Sequence, residues 1–427
     1  MAGKNNIPKH WQLKKFEDFL VYIQPTKYIV ESTEYSDKYT TPVLTAGKSF
    51  ILGNTNEENG IYNALPVIIF DDFTTANKFV NFKFKVKSSA MKILKPKDAS
   101  INIKFVYYYM QTVRITIDTH KRYWISVFSK LPVPSPPLPE QQAIVSKIEE
   151  LLSALEKGKQ QLQTAQQQLK VYKQSLLKWA FEGKLTRLNH DPSDLHDEHD
   201  LNMAAEFQIE YIKNQGSDNL PEGWKWVKII DIVENNKHSL KAGPFGSSLK
   251  KEFYVANGYK VYGQEQVIND DPFYGDYYIN DEKYQELKSC KIKPSDVLIS
   301  LVGTVGKVLI LPENCKEGII NPRLIKISLN KEIYLTKFFK YYFEGSFVKN
   351  FYSSKAQGTT MDVLNLRIIK AIPFPLPPIE EQHQIVQELE SKLTVCDKIE
   401  ETIGHSLLKA ETLKQSILKK AFEGRLV

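Results

Sequence analysis

Two stretches of the chain, 137–185 and 378–426, align at a single offset of 241 residues without a gap, and 18 of the 49 pairs are identical. Such a repeat constrains the fold more than composition does, because both copies must build the same element. The identities gather at the two ends. Glu140-Gln141 returns as Glu381-Gln382, and Ile144-Val145 as Ile385-Val386. Lys173-Gln174-Ser175 returns as Lys414-Gln415-Ser416, and Ala180-Phe181-Glu182-Gly183 as Ala421-Phe422-Glu423-Gly424. A segment whose middle diverges while its ends are kept is expected to make its demanding contacts at those ends.

Both copies read as long helices. Each follows a proline-rich lead-in, Leu131-Pro132-Val133-Pro134-Ser135-Pro136-Pro137 and Ile372-Pro373-Phe374-Pro375-Leu376-Pro377-Pro378. Proline stops a strand and suits an extended approach to a helix. Gly183 and Gly424 stand where a C-terminal cap glycine belongs. The first copy carries Ile144, Ile148, Leu151, Leu155, Gly158, Leu162, Ala165, Leu169, Tyr172, Leu176 and Trp179 in steps of four and three, the period of a coiled coil. The second carries Ile385, Leu389, Lys392, Cys396, Ile399, Ile403, Ser406, Ala410, Leu413, Ile417 and Lys420, with its seam broken at Lys392, Ser406 and Lys420. About 43 residues at ~1.5 Å each make a rod of roughly 65 Å. Two rods in one chain are expected to pair with each other, antiparallel, with a globular module at each end.

The modules begin alike, Ile7-Pro8-Lys9-His10-Trp11 and Leu220-Pro221-Glu222-Gly223-Trp224, while their interiors, roughly 12–130 and 225–371, share little that aligns. The expected layout is α+β with an internal pseudo-twofold repeat: two mixed α/β modules held apart by two long antiparallel coiled-coil helices. The boundaries read as 1–136, a helix 137–185, a polar linker 186–219, a second module 220–377 and a helix 378–427. The linker holds His190, His196 and His199 among acids. They could bind a metal, but apolar residues to shelter an ion are scarce there, and a solvated linker is the preferred reading.

Net charge is +7, from 57 Lys and Arg against 50 Asp and Glu, which permits a polyanion partner without demanding one. Its distribution says more. Residues 76–104 hold eight lysines and one acid, Asp98. Within them Phe82-Lys83-Phe84-Lys85-Val86-Lys87 alternates with strand period, predicting an apolar face inward and lysines outward, as a solvated face or as a row suited to phosphates. No apolar run reaches ~18 residues, and no apolar leader follows Met1, so a cytoplasmic chain is expected. Cys290, Cys315 and Cys396 are odd in number and match no zinc spacing, which suits a reducing compartment.

Signatures of chemistry are missing. Asp271-Pro272-Phe273-Tyr274 lacks the second proline of an amino-methyltransferase motif, and no glycine-rich cofactor loop accompanies it. Gly303-Thr304-Val305-Gly306-Lys307 resembles half a phosphate loop, but its flanking positions are Leu301 and Val308. It reads better as a turn between two strands. Neither zincin, hydrolase nor nuclease patterns stand out.

Polar, basic turns that could reach phosphates and base edges are plentiful. In the first module they supply Thr45 and Lys48; Thr74, Thr75 and Lys78; Lys87, Ser88 and Ser89; and His120, Lys121 and Arg122. In the second, Lys241-Ala242-Gly243-Pro244-Phe245-Gly246-Ser247-Ser248-Leu249-Lys250 is the leading candidate, through Lys241, Ser247, Ser248 and Lys250. Gln264 and Gln266 could pair with adenine. Thr304, Lys307, Arg323, Lys355, Gln357, Thr359 and Thr360 complete the set.

Taken together, the Pro-x-x-Trp starts, the proline lead-ins to Glu-Gln and the helices closing on Ala-Phe-Glu-Gly resemble the specificity (S) subunit of type I restriction-modification systems. Gly243-Pro244-Phe245-Gly246-Ser247, Gly303-Thr304-Val305-Gly306-Lys307 and Gly358-Thr359-Thr360-Met361 belong to the same resemblance, which spans essentially the whole chain. Leu301 stands where that family often carries arginine, so no contact is counted from that position. The resemblance implies two target-recognition domains, each reading one half of a split, asymmetric DNA target. It implies helices that set the gap and dock two methyltransferase subunits, with motor-nuclease subunits joining the complex. It also implies that this chain binds no cofactor, catalyses nothing and binds no metal, while S-adenosylmethionine, ATP and magnesium act in the partners. Two rival readings stay open at this point: a self-sufficient methyltransferase or nuclease with unrecognised motifs, and a coiled-coil scaffold without DNA specificity.

Overall fold

The computed structural model describes residues 7–45, 49–116, 122–187, 220–355 and 364–426. It divides into two compact units: residues 1–163 with 403–427, and residues 164–402. Each unit combines one globular head with part of both long helices. The histidine-bearing stretch 188–219 lies outside the described residues.

The helices run Leu138–Phe181 and Ile379–Phe422, 44 residues each and displaced by the offset of the repeat. Each starts on a proline carbonyl: Gln141 N–H donates to Pro137 O and Gln382 N–H to Pro378 O, both at 3.0 Å. Each ends on a left-handed glycine, Gly183 at φ 69° and Gly424 at φ 67°. In the first unit Lys159 pairs with Glu411. In the second, Lys173 pairs with Asp397 and Glu400. Ile144 and Ile148 cluster with Leu418 and Phe422 in the first unit, and Leu176 and Ala180 with Ile385 and Leu389 in the second. Within each unit partner numbers therefore fall as residue numbers rise, which is antiparallel pairing.

The predicted seam of the second helix closes only in part. Leu389, Cys396, Ile403, Ala410 and Ile417, one residue per heptad, are buried. Ile399 and Leu413 are exposed, as is Lys420. A straight helix drifts about 20° per heptad from a strict seven-residue repeat. The buried face therefore takes in Leu393, Leu418 and Ala421 instead.

The heads share a fold that their interiors conceal. In the first, β2 (Leu20–Ile23), β8 (Met91–Pro96), β5 (Val67–Asp71) and β6 (Asn77–Val80) form an antiparallel sheet in that order. A second sheet orders β4 (Ile51–Thr55), β3 (Thr41–Leu44) and β7 (Lys85–Val86), with β3 and β7 parallel. In the second head β11 (Leu240–Ala242), β17 (Leu324–Ile327), β14 (Val297–Ser300) and β15 (Val308–Ile310) repeat the first sheet. There β13 (Tyr278–Ile279), β12 (Tyr259–Tyr262) and β16 (Gly318–Ile320) repeat the smaller one, with β12 and β16 parallel.

A two-stranded ribbon closes each head onto its helix: β1 (Gln12–Lys15) with β9 (Pro132–Ser135), and β10 (Lys225–Lys228) with β18 (Pro373–Leu376). Prolines at every second position, 132 and 134 and again 373 and 375, leave the intervening N–H groups to pair, which an edge ribbon tolerates.

The kept helix ends are where heads and helices lock. Gln141 Oε1 accepts from Asn102 N–H and its Nε2 donates to Pro136 O, both at 2.9 Å. Gln382 does the same to Leu335 N–H and Pro377 O. Trp11 Nε1 donates to Glu140 and Trp224 Nε1 to Glu381, each at 2.9 Å. Phe422 meets Phe105 and Tyr109 edge-on, and Phe181 meets Phe338 and Tyr342 likewise. A Cβ on Gly183 would lie 2.3 Å from Pro221 Cγ, and one on Gly424 2.3 Å from Pro8 Cγ. Glu140, Gln141, Phe181 and Gly183 thus each make a contact in their own unit that Glu381, Gln382, Phe422 and Gly424 repeat.

Candidate nucleic-acid interface

In the second head, strand directions bring six strand ends to one edge. β11 ends and β17 begins there, because Ala242 lies opposite Ile325. β14 ends and β15 begins there, since Ile299 lies opposite Val308. The parallel pair β12 and β16 both end there. The segments leaving them bond to one another: Gly243 N–H to Leu324 O, Leu301 N–H to Arg323 O, and Asn321 N–H to Tyr262 O. A Cβ at Gly243 would lie 1.9 Å from the Asn321 carbonyl oxygen, so only glycine permits this approach. Ser247, Ser248, Gln264, Thr304, Lys307 and Arg323 all belong to these segments, and Lys241 lies within β11 itself. Thr304, Lys307 and Arg323 are exposed. Lys307 lies 3.7 Å from the half-buried Glu344, and Lys250 3.7 Å from Glu252, the latter an exposed pair of little energetic weight. The side chain of Lys355, and Gln357, Thr359 and Thr360, lie outside the described residues, but Leu364 N–H donates to Leu301 O beside the same edge.

Gln266 needs correction. It is buried, its Oε1 accepts from Gly263 N–H at 2.8 Å, and its Nε2 donates to Tyr274 O at 2.6 Å. Both atoms that would read adenine are spent inside the head. Gln264 is half-buried, and its Nε2 is bonded to Val302 O. The same edge also carries aromatic side chains that the polar candidates leave out. Phe245 is 86% exposed, and Phe273, Tyr274 and Tyr277 are also exposed. The signal was present, since Phe245 sits between Gly-Pro and Gly in a polar loop.

The first head repeats the arrangement. β3 and the parallel β7 end together, and Lys87 N–H donates to Leu44 O. Asp72 N–H donates to Ala90 O and Tyr123 N–H to Asp72 O, which draws in the β5–β6 turn and the segment after Arg122. Thr45, Thr74, Thr75, Lys87, Ser88, Ser89 and Arg122 therefore share one edge, with Lys78 one residue into β6. Lys48, His120 and Lys121 lie outside the described residues. Thr74 donates its hydroxyl to Asp71, and Thr75 holds φ 59°, a left-handed turn tip. Beneath the turns lies a buried ion pair, Lys92 and Asp72 at 3.6 Å. Lys92 Nζ also donates to Gln24 Oε1, and Asp72 Oδ1 accepts from Trp124 N–H.

The outward lysine row predicted across residues 82–87 forms only in part: Lys83 and Lys87 are exposed and Phe84 and Val86 buried as expected, but Lys85 and Phe82 depart from the pattern. Only Lys85–Val86 is strand, Phe82 is exposed, and Lys85 is buried against Glu57 and the Asn59 carbonyl. β7 is covered on both faces, so alternation cannot send its lysine to solvent. Burial raises the Glu57 carboxyl, but Lys85 and the amides of Ser32 and Glu31 outweigh it and leave it below its ordinary value. Cys290, Cys315 and Cys396 are free thiols, each pushed up foremost by burial. No group of three or more potential metal ligands occurs among the described residues, and no helix there is long and apolar enough to cross a membrane.

The family model for the type I restriction modification DNA specificity domain matches residues 8–164 and 221–409. The EcoR124I/EcoR124II specificity subunit of Escherichia coli is 55% identical over 139 residues, 31% of this chain and 34% of that one. The Escherichia coli EcoBI specificity subunit is 27% identical over 296 residues, 69% of this chain and 58% of that one. The matches thus span less than two thirds of either relative. The MjaVIII specificity subunit of Methanocaldococcus jannaschii aligns over 98% of this chain and 94% of its own length at 21% identity. The HsdS subunit from Thermoanaerobacter tengcongensis shares the fold at TM-score 0.57 and 17% identity, over 99% of both chains. A chain solved in a study of type I R-M complex assembly shares it at TM-score 0.65 and 16% identity, over 98% of this chain and 99% of that one. With two matched copies that together cover most of its length, the chain belongs to the type I restriction modification DNA specificity family.

Proposed function

We propose that this chain is the sequence-specific DNA recognition subunit of a type I restriction-modification complex. Each head reads one half of a bipartite, asymmetric site, and the paired helices set the spacing. One observation carries the reading: two heads of identical strand order present, at the same edge, loops of unrelated sequence. Equivalent frames suit a roughly twofold duplex, while differing loops suit a target whose halves differ. Lysines and Arg122, Lys307 and Arg323 supply salt-dependent affinity, and the polar loops supply discrimination of about 1–3 kcal/mol per good base contact.

The chain itself acts in the cytoplasm without catalysis, metal or cofactor. S-adenosylmethionine, ATP and magnesium belong to two methyltransferase subunits and to motor-nuclease subunits docked around the helices, and the target adenines are flipped into the methyltransferases. The test is footprinting of the purified chain on duplexes drawn from the methylated sites of its host. Two protected patches separated by an open gap are expected, with affinity falling steeply as salt rises at a slope of about −0.9 per neutralised phosphate. One contiguous patch, or methylation by the chain alone, overturns the reading.

A further inference from the structure

The Asp271-Pro272-Phe273-Tyr274 segment, useless as a methyltransferase motif, is held in an unusual way. Lys260 lies in β12 with 1% of its surface exposed. Its ammonium donates to three consecutive carbonyls, Phe273 at 3.2 Å, Tyr274 at 3.2 Å and Gly275 at 2.7 Å. An ammonium has three donors, so all are used. Burying it is costly, and burial is the main reason its pKa falls below the ordinary lysine value. An apolar residue would fill the same place in β12 more cheaply, yet it could not hold the turn. Gln266 adds a bond to Tyr274 O, and the Asp271 carboxylate accepts from Phe273 N–H at 2.8 Å. The turn so fixed from below carries Phe273, Tyr274 and Tyr277 outward, all exposed.

The turn belongs to the reading edge. It leads into β13, which runs antiparallel to β12, with Tyr278 opposite Lys260 and Val261 N–H donating to Tyr277 O. It therefore stands at the end where β12 and β16 finish. The short helix Gln264–Asn269 ties the two together: Gln264 bonds Val302 O in the hairpin turn, and Gln266 bonds Tyr274 O. Lys307, Arg323 and the exposed Phe245 share that edge, which gives the aromatic turn cationic neighbours suited to a phosphate backbone. Rings held on a rigid backbone lose little freedom on binding and supply the apolar contacts that thymine methyls and base faces accept.

We propose that the aromatic turn 271–277 is a reading element of the second head for duplex DNA, and that Lys260 is the residue that positions it. This rests on the DNA-recognition reading above. Lys260→Met keeps a four-atom unbranched stem and removes the ammonium with its three donors. Phe273→Ala with Tyr274→Ala removes exposed rings and leaves the core intact. Each variant is expressed with the cognate methyltransferase in cells lacking the native chain, and the methylome is sequenced. Both variants are expected to relax one or more positions in one half of the methylated motif, with discrimination there falling about tenfold. The other half stays unchanged. An unchanged motif in the ring-deletion variant overturns the proposal, whether or not Lys260→Met folds. So does a uniform loss of methylation at an unchanged motif in Lys260→Met, since that is a stability effect alone. A wild-type chain that yields no two-part motif fails the underlying DNA reading instead, so the two failures are distinguishable.

Discussion

At Gln382 a single side chain joins three parts of its unit. Its amide accepts from Leu335 N–H and donates to Ile333 O and Pro377 O, and the residue is fully buried. Gln382→Ala strands those groups without solvent, which costs about 1–3 kcal/mol for each buried group left unpaired. Expected is a loss of about 3 kcal/mol in urea unfolding of the purified chain; a loss under about 0.5 kcal/mol would show that water replaces the amide. At Asp72 the stakes are similar in kind. Asp72→Ala leaves Lys92 buried without its carboxylate and Trp124 N–H without its acceptor. Breaking a buried pair from one side costs about 3–5 kcal/mol, and calorimetry should show the loss. Gln266 teaches the converse. It looked like a base reader because its chemistry suits adenine, and burial turned the same chemistry inward.

On the scale of elements, the glycines of the long helices divide sharply. Gly158 and Gly404 would place a Cβ in open space, so each only loosens its helix. Gly158→Ala and Gly404→Ala should each stabilise by about 0.8–1 kcal/mol, additively, and raise the melting temperature. Gly183→Ala should do the opposite, because φ 69° and the Pro221 ring 2.3 Å from the new Cβ both resist it. Equal effects at Gly158 and Gly183 would contradict the docking of the helix end on the second head. The heptad reading of the second helix was right in row and wrong in width. A one-dimensional pattern marks which residues are apolar, and the neighbouring side chains decide how wide a face they cover.

For the whole molecule, the matched strand orders make a modular prediction. Exchanging residues 12–130 for the corresponding stretch of another family member should change one half of the methylated motif and leave the other half and the spacing intact. Methylome sequencing of cells carrying the exchanged chain checks it, and a change in both halves would contradict independent heads. Loss of binding at a single half without loss of salt dependence would separate base reading from phosphate affinity.

The repeat, the two 44-residue helices, their proline starts and glycine ends, and the doubled layout were legible from the amino acids alone. They depend on local chain geometry and periodicity, which sequence spells out position by position. So was the family, because most of its motifs lie in that frame and the rest are short glycine-marked runs in the second head. The common fold of the heads was not legible. Strand order is set by pairing between residues far apart, and different side chains can satisfy the same ladder. Nor could sequence tell which polar groups face outward. Lys85, Lys92, Lys260 and Gln266 went inside because neighbouring carbonyls and carboxylates could satisfy them, and Phe273 and Tyr274 stayed outside on a turn that Lys260 and Gln266 hold. Solvent exposure is a property of the packed neighbourhood, and only the tertiary structure supplies it.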